Sequence, residues 1–414
     1  MRLLHTSDWH VGRTTYNKSR HPDFVKVFDE IIEIARTRHP DLILNTGDLL
    51  DHARVSHSDI NLAASCLGEL SKVAPVVVVA GNHDSAMLLD AFNLLHAGDQ
   101  IHFVTTPRGR KGDYLTFPGS DGITLRLGAL PFVNTSRAID VFDDPAQWAG
   151  DYRHRIAAIQ NQIAEHLNHD LDPQKTVTVF AAHLFVTGAG LGGTEREAHV
   201  SGDYGTHPDD MPHVDYAAFG HIHQAQQLPG PVAGRYAGSP LALDFGEAGQ
   251  TKSVTLVDLA PGTPAFIEEV PLRGGRALRT FTGTLNELAA AAGEIEDALC
   301  VIEINTETHD PVLSQRVHEL LPRATVLQIR QNAADGRAFP SVVLPDMPTA
   351  SGDLLERFIT YIADQNTSPA PADRVIAVLA ELLDAHAEDR EPSFPQEALL
   401  PTGASTSADR GGMA

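Results

Sequence analysis

An α/β fold is predicted for this chain of 414 residues, and three observations predict it. Apolar, β-branched runs of strand length alternate with segments whose apolar residues recur at helical spacing. Five of the runs stop at a short polar cluster of Asp, Asn or His. In open α/β sheets the residues just past the carboxyl ends of the strands line the ligand crevice, so such clusters point into a site. From about Pro271 the alternation continues while the polar clusters cease, which marks a second, smaller α/β unit.

Composition narrows the classes. The apolar fraction of 42% is ordinary for a soluble protein, and the longest apolar runs are of strand length, too short to span a membrane. The first residues, Met1 to Asp8, hold too few apolar positions for a signal peptide, so the cytoplasm is the expected compartment. With Cys66 and Cys300 alone there is no disulfide framework and no cysteine metal site, and any metal must be held by oxygen and imidazole. A net charge of -23 argues against a free-standing nucleic-acid binder, whose affinity rests on Lys and Arg neutralising phosphates. Carboxylates committed to metals, an acidic tail or a basic partner subunit would each reconcile that charge with a polyanionic substrate.

In chain order, Arg2 to Ser7 reads as the first strand and delivers Asp8-Trp9-His10, whose i and i+2 side chains share one side of an extended backbone. Phe24, Val27, Phe28, Ile31 and Ala35 predict a helix closed by His39-Pro40. The second strand, Asp41 to Thr46, ends in Gly47-Asp48, with Asp51 and His52 close behind. A helix over Ser58 to Ser71 leads to the run Pro75 to Ala80, which ends in Gly81-Asn82-His83-Asp84 before a helix over Ala86 to Leu95. Alone, that tetrad reads equally well as a polar turn with a helix N-cap. Its repetition at other strand ends favours a site.

Gly98 to Asp151 carries short alternating runs that predict antiparallel strands widening the sheet, with no chemistry to name. A helix bearing Ile156, Ile159, Ile163 and Leu167 leads to the strand Val177 to Ala182, which ends in His183. The glycine-rich loop Thr187 to Tyr204 reads equally as a substrate flap and as a surface linker. Tyr216 to Phe219 delivers Gly220-His221-Ile222-His223, and strands near Arg235 to Gly238 and Ser253 to Leu259 are expected to complete a second sheet. Beyond Pro271, strands over Leu278 to Thr282, Ala298 to Asn305 and Thr325 to Arg330 alternate with helices over Leu285 to Ala292 and Pro311 to Leu320. Two amphipathic helices, Leu354 to Ile362 and Val375 to Leu383, are split by the Pro-containing Ser368 to Ala372 and pack on a partner or on their own domain. The tail from Glu391 is expected to be disordered. The expected divisions are 1–270, 271–349, 350–390 and 391–414.

The groups past the strand ends are Asp8, His10, Asp48, Asn82, His183, His221 and His223. Imidazole and oxygen without thiolate suit Mn, Fe or Zn rather than Ca, and the set is large enough for two ions sharing a carboxylate. Cations roughly 3.5 to 4 Å apart can hold a bridging hydroxide and clamp both oxygens of a phosphoester during in-line attack. Any single histidine of the set would read as a hydrogen-bonded structural residue; five strand ends in agreement do not.

The order D-x-H, G-D, G-N-H-D, H, G-H-x-H over roughly the first 225 residues resembles the calcineurin-like metallophosphoesterases. More narrowly, His5-Thr6-Ser7-Asp8-Trp9-His10-Val11-Gly12-Arg13, Ala80 to Ser85, Gly220 to His223 and Tyr236-Ala237-Gly238-Ser239-Pro240 are similar to the bacterial SbcD family of nuclease subunits. The resemblance implies a metallophosphoesterase sandwich, two mixed β-sheets flanked by helices, with a small α/β DNA-capping domain after Pro271 and C-terminal helices that dock an SMC-like ATPase of the SbcC type. It implies two divalent ions, Mn2+ being expected, held by Asp8, His10, Asp48 and His223 on one side and by Asp48, Asn82, His183 and His221 on the other. His83 is then no ligand; it contacts the scissile phosphate and protonates the leaving 3′ oxygen. Asp51 stands where many phosphatases of the superfamily carry the carboxylate that orients this histidine, and it is favoured over His52 for that role.

The implied activity is metal-dependent cleavage of DNA ends and hairpins in recombination and repair, as a 3′ to 5′ double-strand exonuclease and single-strand endonuclease. The implied assembly is a homodimer within a heterotetramer, nucleoid-associated in the cytoplasm. A small-molecule phosphodiesterase or nucleotidase, and a non-cleaving DNA-end scaffold, are the alternatives. The accessory domain and terminal helices weigh against the first, the intact ligand set and His83 against the second.

Overall fold

The computed structural model describes residues 1–95, 100–133, 152–191, 205–308, 310–333 and 378–382. Two compact units divide the chain, Met1–Ser341 and Val342–Ala414. In the second, residues 378–382 are helical. The rest of the expected terminal helices, the Ser368 to Ala372 joint, the tail, the end of the accessory domain and most of the Thr187 to Tyr204 loop lie outside the described residues. Among the described residues no helix is long and apolar enough to cross a membrane.

The first unit is built on two six-stranded sheets. In the first, β1 (Arg2–Thr6), β2 (Leu42–Asn45), β3 (Val76–Val79) and β4 (Ile101–Val104) run parallel. The second has β5 (Leu115–Pro118) antiparallel to β6 (Thr124–Leu130), which runs parallel to β7 (Thr176–His183); β8 (Tyr216–Gly220) follows, parallel to β7. A short hairpin, β9 (Gln226–Gln227) and β10 (Gly234–Tyr236), completes that sheet beside β8.

The strands are apolar on both faces because both faces are covered. Leu3, Leu42, Leu44, Val77 and Val79 meet Leu125, Leu127, Val177, Val179 and Ala218 in a core between the sheets. Leu4, Ile43, Val76 and Val78 face the other way, against α1 (His21–Arg38), α2 (His57–Ser71) and α3 (Ala86–Leu95). On the far side of the second sheet, Phe180, Ala182 and Phe219 pack on Ile156, Ile159 and Ile163 of α4 (Tyr152–Asn168). The result is four layers, helices, sheet, sheet, helices.

Two expectations need correction. The strand β11 (Ser253–Ala260) joins the first sheet, antiparallel to β1 with His5 opposite Thr255, and β12 (Thr263–Pro271) pairs with it in turn. Val254 and Leu256 face the helix side while Val257 and Leu259 face the other sheet, so this strand has the two apolar faces of an interior position and covers the edge of β1. In the Gly98 to Asp151 stretch, Ile101–Val104 extends the first sheet parallel to its neighbour; of the strands among the described residues there, only β5 runs antiparallel to its neighbour.

Within the same first unit, a smaller parallel three-stranded sheet is made of β13 (Leu278–Gly283), β14 (Leu299–Thr306) and β15 (Thr325–Ala333), with α5 (Leu285–Ile295) and α6 (Leu313–Leu320). Its helices cover one face. On the other, Leu278, Leu299 and Leu327 rest against Ala242 and Phe245 of the main body.

A buried carboxylate pins this joint. Asp23 accepts from Arg20 Nε at 2.8 Å, from Arg276 Nη2 at 2.9 Å and from the Arg276 backbone at 2.9 Å. Arg20, itself buried, donates onward to the carbonyls of Ala242 and Arg276. Burial opposes the Asp23 charge, yet its arginine partners hold the carboxyl below its usual range. Its stabilisation is therefore fully present above the unfolded value near ~3.9 and is lost as pH falls through the depressed folded value. Asp23→Asn leaves Arg20 buried without its anion and should cost about 3 to 5 kcal/mol. Urea denaturation across pH checks this: the variant should be weaker at neutral pH, and its deficit should shrink on acidification.

Candidate metal centre

The carboxyl ends of both sheets converge on one spot. Past β1 come Asp8 and His10, past β2 Asp48, past β3 Asn82 and His83, at the end of β7 His183, and past β8 His221 and His223. His183 lies in register with Gly220, which sets His221 beside it. The loops after β1 and β2 are zipped together by Asp8 N to Gly47 O and His10 N to Asp48 O, both 2.9 Å. Asp8, His10 and Asp48 sit in the left-handed region, with φ of 49°, 48° and 50°. That conformation costs roughly 1 to 2 kcal/mol per residue and persists only where the surroundings enforce it. Gly81 allows a close approach of the two loops: a Cβ there would lie 2.2 Å from Asp48 Oδ1.

Three overlapping groups of metal-binding atoms result among the described residues: a first cluster of Asp8, His10 and His223, a second of Asp48, His183 and His221, and between them His10, Asp48 and His83. In the first, His10 Nε2 faces His223 Nε2 at 3.1 Å. In the second, Asn82 Oδ1 lies 2.9 Å from both His183 Nε2 and His221 Nδ1. Asp48 Oδ2 stands between them, 3.5 Å from His10 Nε2 and 3.3 Å from His183 Nε2.

The donor set fits divalent cations on one decisive observation. His10 Nδ1 faces the Asp51 carboxylate at 3.2 Å and His223 Nδ1 faces Glu247 at 3.0 Å, so each imidazole carries its hydrogen on Nδ1. The two Nε2 atoms then face each other across 3.1 Å, where a positive charge is needed between them, a divalent ion or, against burial, the proton that Asp51 and Asp48 favour on His10. Two imidazole nitrogens about 2.1 Å from one ion, at a near-right angle, stand ~3 Å apart. His183 repeats the pattern, its Nδ1 donating to Thr46 O at 2.8 Å while Nε2 turns to Asn82 and Asp48. The field of the pocket agrees. Burial opposes the charge of His183, but Asp48 and Asp8 push its imidazole up to about 9. Asp48 is held well below the carboxylate range against its own burial by the histidines around it. Such a pocket is poised for positive charge.

The calcineurin-like phosphoesterase family profile matches residues 1–225, more than half of the chain. A Bacillus subtilis protein named as the SbcD component of the nuclease SbcCD is 32% identical over 77% of this chain and 82% of its own. The chain belongs to the calcineurin-like phosphoesterases, in the group of the SbcD nuclease subunits. The proteins of the same name from Escherichia coli K12, 29% identical over 72% of this chain and 74% of theirs, and from Rhodobacter capsulatus, 30% over 70% and 76%, are further relatives.

Around the ligands of this phosphoesterase, His83 stands edge-on to His10 with ring centroids 4.7 Å apart, and its Nδ1 bonds the backbone carbonyl of Asp51. Asp51 thus reaches His83 through its main chain. Its carboxylate faces His10 instead, with Arg13 Nη1 3.6 Å away. His52 accepts from the Arg54 backbone and joins none of the ligand clusters.

Sequence reasoning passed over three supporting residues. Asp84 accepts from the backbones of Gly81, Leu49 and Leu50, binding the Asn82 loop to the Asp48 loop. Its place in the tetrad was the available signal. Glu247 and Lys252 lie in no motif, and nothing in the sequence links them to His223. Gly81→Ala should fold yet lose metal, because the new methyl displaces Asp48. Circular dichroism with elemental analysis checks this, and a variant with the wild-type metal content would contradict the close packing.

Proposed function

We propose that this phosphoesterase is the nuclease subunit of a complex with an SbcC-type ATPase, cleaving phosphodiesters at DNA ends and hairpins. The observation that carries the proposal is the facing pair of imidazole Nε2 atoms beside a carboxylate shared with a second cluster. Asp8, His10, Asp48 and His223 would hold one divalent ion, and Asp48, Asn82, His183 and His221 the other. Bound there, two such ions neutralise phosphodiester charge and lower the pKa of an attacking water. Mn2+ is the proposed metal, since the set mixes imidazole and oxygen without thiolate.

The chain's own groups supply the rest. His83, anchored through Nδ1, has its other nitrogen to deliver a proton to the leaving 3′ oxygen. Burial lowers its imidazole to about 4, so it takes up its proton with the substrate, whose anion raises it. The left-handed loops hold the ligands without reorganisation at the moment of reaction.

The named relatives are D subunits of an SbcCD nuclease, which supports a nuclease with an SbcC partner and a DNA substrate. The 3′ to 5′ double-strand exonuclease and single-strand endonuclease activities are proposed with it. A homodimer is proposed as well. On α3, directly after the Asn82 loop, Met87, Leu94 and Leu95 are 82, 82 and 78% exposed, an apolar face that costs about 25 cal/mol per Å² to leave in water. Domain limits at 270 and 349, partner-binding helices over 350–390, a disordered tail over 391–414 and a nucleoid location complete the reading.

His83→Gln should keep both metals and DNA binding while cleavage falls about 10²- to 10⁴-fold. Asp48→Asn should lose metal and cleavage together. Metal analysis beside nuclease assays on duplex ends separates these, and metal loss in His83→Gln would overturn the division of roles. Turnover of a chromogenic phosphodiester without cleavage of any DNA would favour the small-molecule alternative. A chain ending at Thr349 should keep its metals and fail to co-purify with the ATPase subunit.

A further inference from the structure

Outside the ligand set, an ion pair with little reason to be buried lies behind the first cluster: Glu247 is 0% exposed and Lys252 8%. Removing two charges from water costs several kcal/mol per ion, and their attraction repays this only with good geometry and further hydrogen bonds. Here the geometry is aimed at one residue. Glu247 Oε1 meets His223 Nδ1 at 3.0 Å. Glu247 Oε2 accepts from Lys252 Nζ at 2.6 Å, from the Leu243 backbone at 3.1 Å and from Ser239 Oγ at 3.4 Å. Lys252 Nζ also donates to the backbone carbonyl of His223 at 3.1 Å. Ring and main chain of the same histidine are gripped by the two members of one pair.

We propose that Glu247 and Lys252 are the positioning pair of the first cation site, fixing His223 in the tautomer that carries hydrogen on Nδ1 so that Nε2 meets His10 as a bare donor atom. This rests on the reading that the site holds cations. Glu247 must be an acceptor toward the ring, and Lys252 keeps it one by supplying its counter-charge.

The pair makes an unusual demand on substitutions. In Glu247→Gln the amide must turn its oxygen to the Oε2 position, where Lys252, Leu243 and Ser239 all donate, so its NH2 faces His223 Nδ1. That nitrogen becomes the acceptor, the hydrogen moves to Nε2, and the ring can no longer ligate. Glu247→Ala leaves the ring free to choose either tautomer. The isosteric change should therefore be the more damaging one, the reverse of what a packing role produces.

The test uses the full chain. Mn2+ is titrated calorimetrically into wild type, Glu247→Gln, Glu247→Ala and Lys252→Met, and the ring ¹⁵N shifts of His223 are read in metal-free protein, assigned by their loss in His223→Gln. Wild type should show hydrogen on Nδ1 and Glu247→Gln hydrogen on Nε2. Removal of such outer partners weakens metal binding about 10- to 100-fold, and the Gln variant should lie at the upper end and the Ala variant at the lower. Lys252→Met tests the pair from the other side and should show mixed tautomers with Mn2+ bound about 10-fold more weakly. A Glu247→Gln chain with hydrogen still on Nδ1, or one that binds Mn2+ better than Glu247→Ala, overturns the proposal. A wild-type chain that binds no Mn2+ overturns the metal reading instead, and the tautomer shifts then decide the pair on their own.

Discussion

Ionisable groups crowded together in a place where water cannot help them are the constraint on which the fold turns. Asp8, Asp48, His10, His183, His221 and His223 are all buried, and their acceptor atoms face inward on one another. Burial alone penalises each ionised group, and lone pairs about 3 Å apart add to the cost until a cation sits among them. Only a scaffold that over-determines every ligand can hold such an arrangement. Two sheets presenting the same ends to one spot supply that scaffold, because each loop is anchored by a strand buried on both faces. The left-handed residues at Asp8, His10 and Asp48 are the local cost of turning these side chains inward at once.

The parts of this arrangement that were legible in the sequence are those encoded by neighbours along the chain. A strand is a run of apolar residues, and a ligand at its end sits within two or three positions of it, so Asp8, Asp48, Asn82, His183 and His221 announce themselves by place as much as by type. Strand partnership is not local. Ser253–Ala260 reads the same whether it lies beside Tyr216–Gly220 or beside Arg2–Thr6, and only the need to cover the edge of the first strand assigns it. Asp51 shows the same limit at finer scale, since its position promised proximity to His83 but could not say whether carboxylate or carbonyl would face it.

Support for the site is least visible where it is most indirect. Glu247 stands 24 positions from His223, across a hairpin and a turn, and no spacing rule joins the two. Its burial with Lys252 becomes meaningful only when both are seen to converge on one imidazole. The net charge of -23 changes meaning in the same way. Asp8, Asp48, Asp51 and Glu247 are turned inward on histidines, so this part of the acidity faces the site and not a passing polyanion.

The stretch from Ser239 to Glu247 joins these observations to the smaller sheet. Ser239, Leu243 and Glu247 form the hydrogen-bonded backing of His223. Between them, Ala242 and Phe245 carry the apolar seat of Leu278, Leu299 and Leu327, and the carbonyl of Ala242 is fixed by Arg20. Arg20 in turn shares Asp23 with Arg276, just before the first strand of the smaller sheet. The same nine-residue segment therefore has the metal centre on one side and the accessory sheet on the other. A close-packed segment transmits displacement instead of absorbing it, because interiors have few voids to yield into. Asp8, His10 and Asp48 are held differently, by backbone bonds between the first two strand ends. His223 is the candidate ligand whose hydrogen-bonded backing lies in the segment that also seats the accessory sheet.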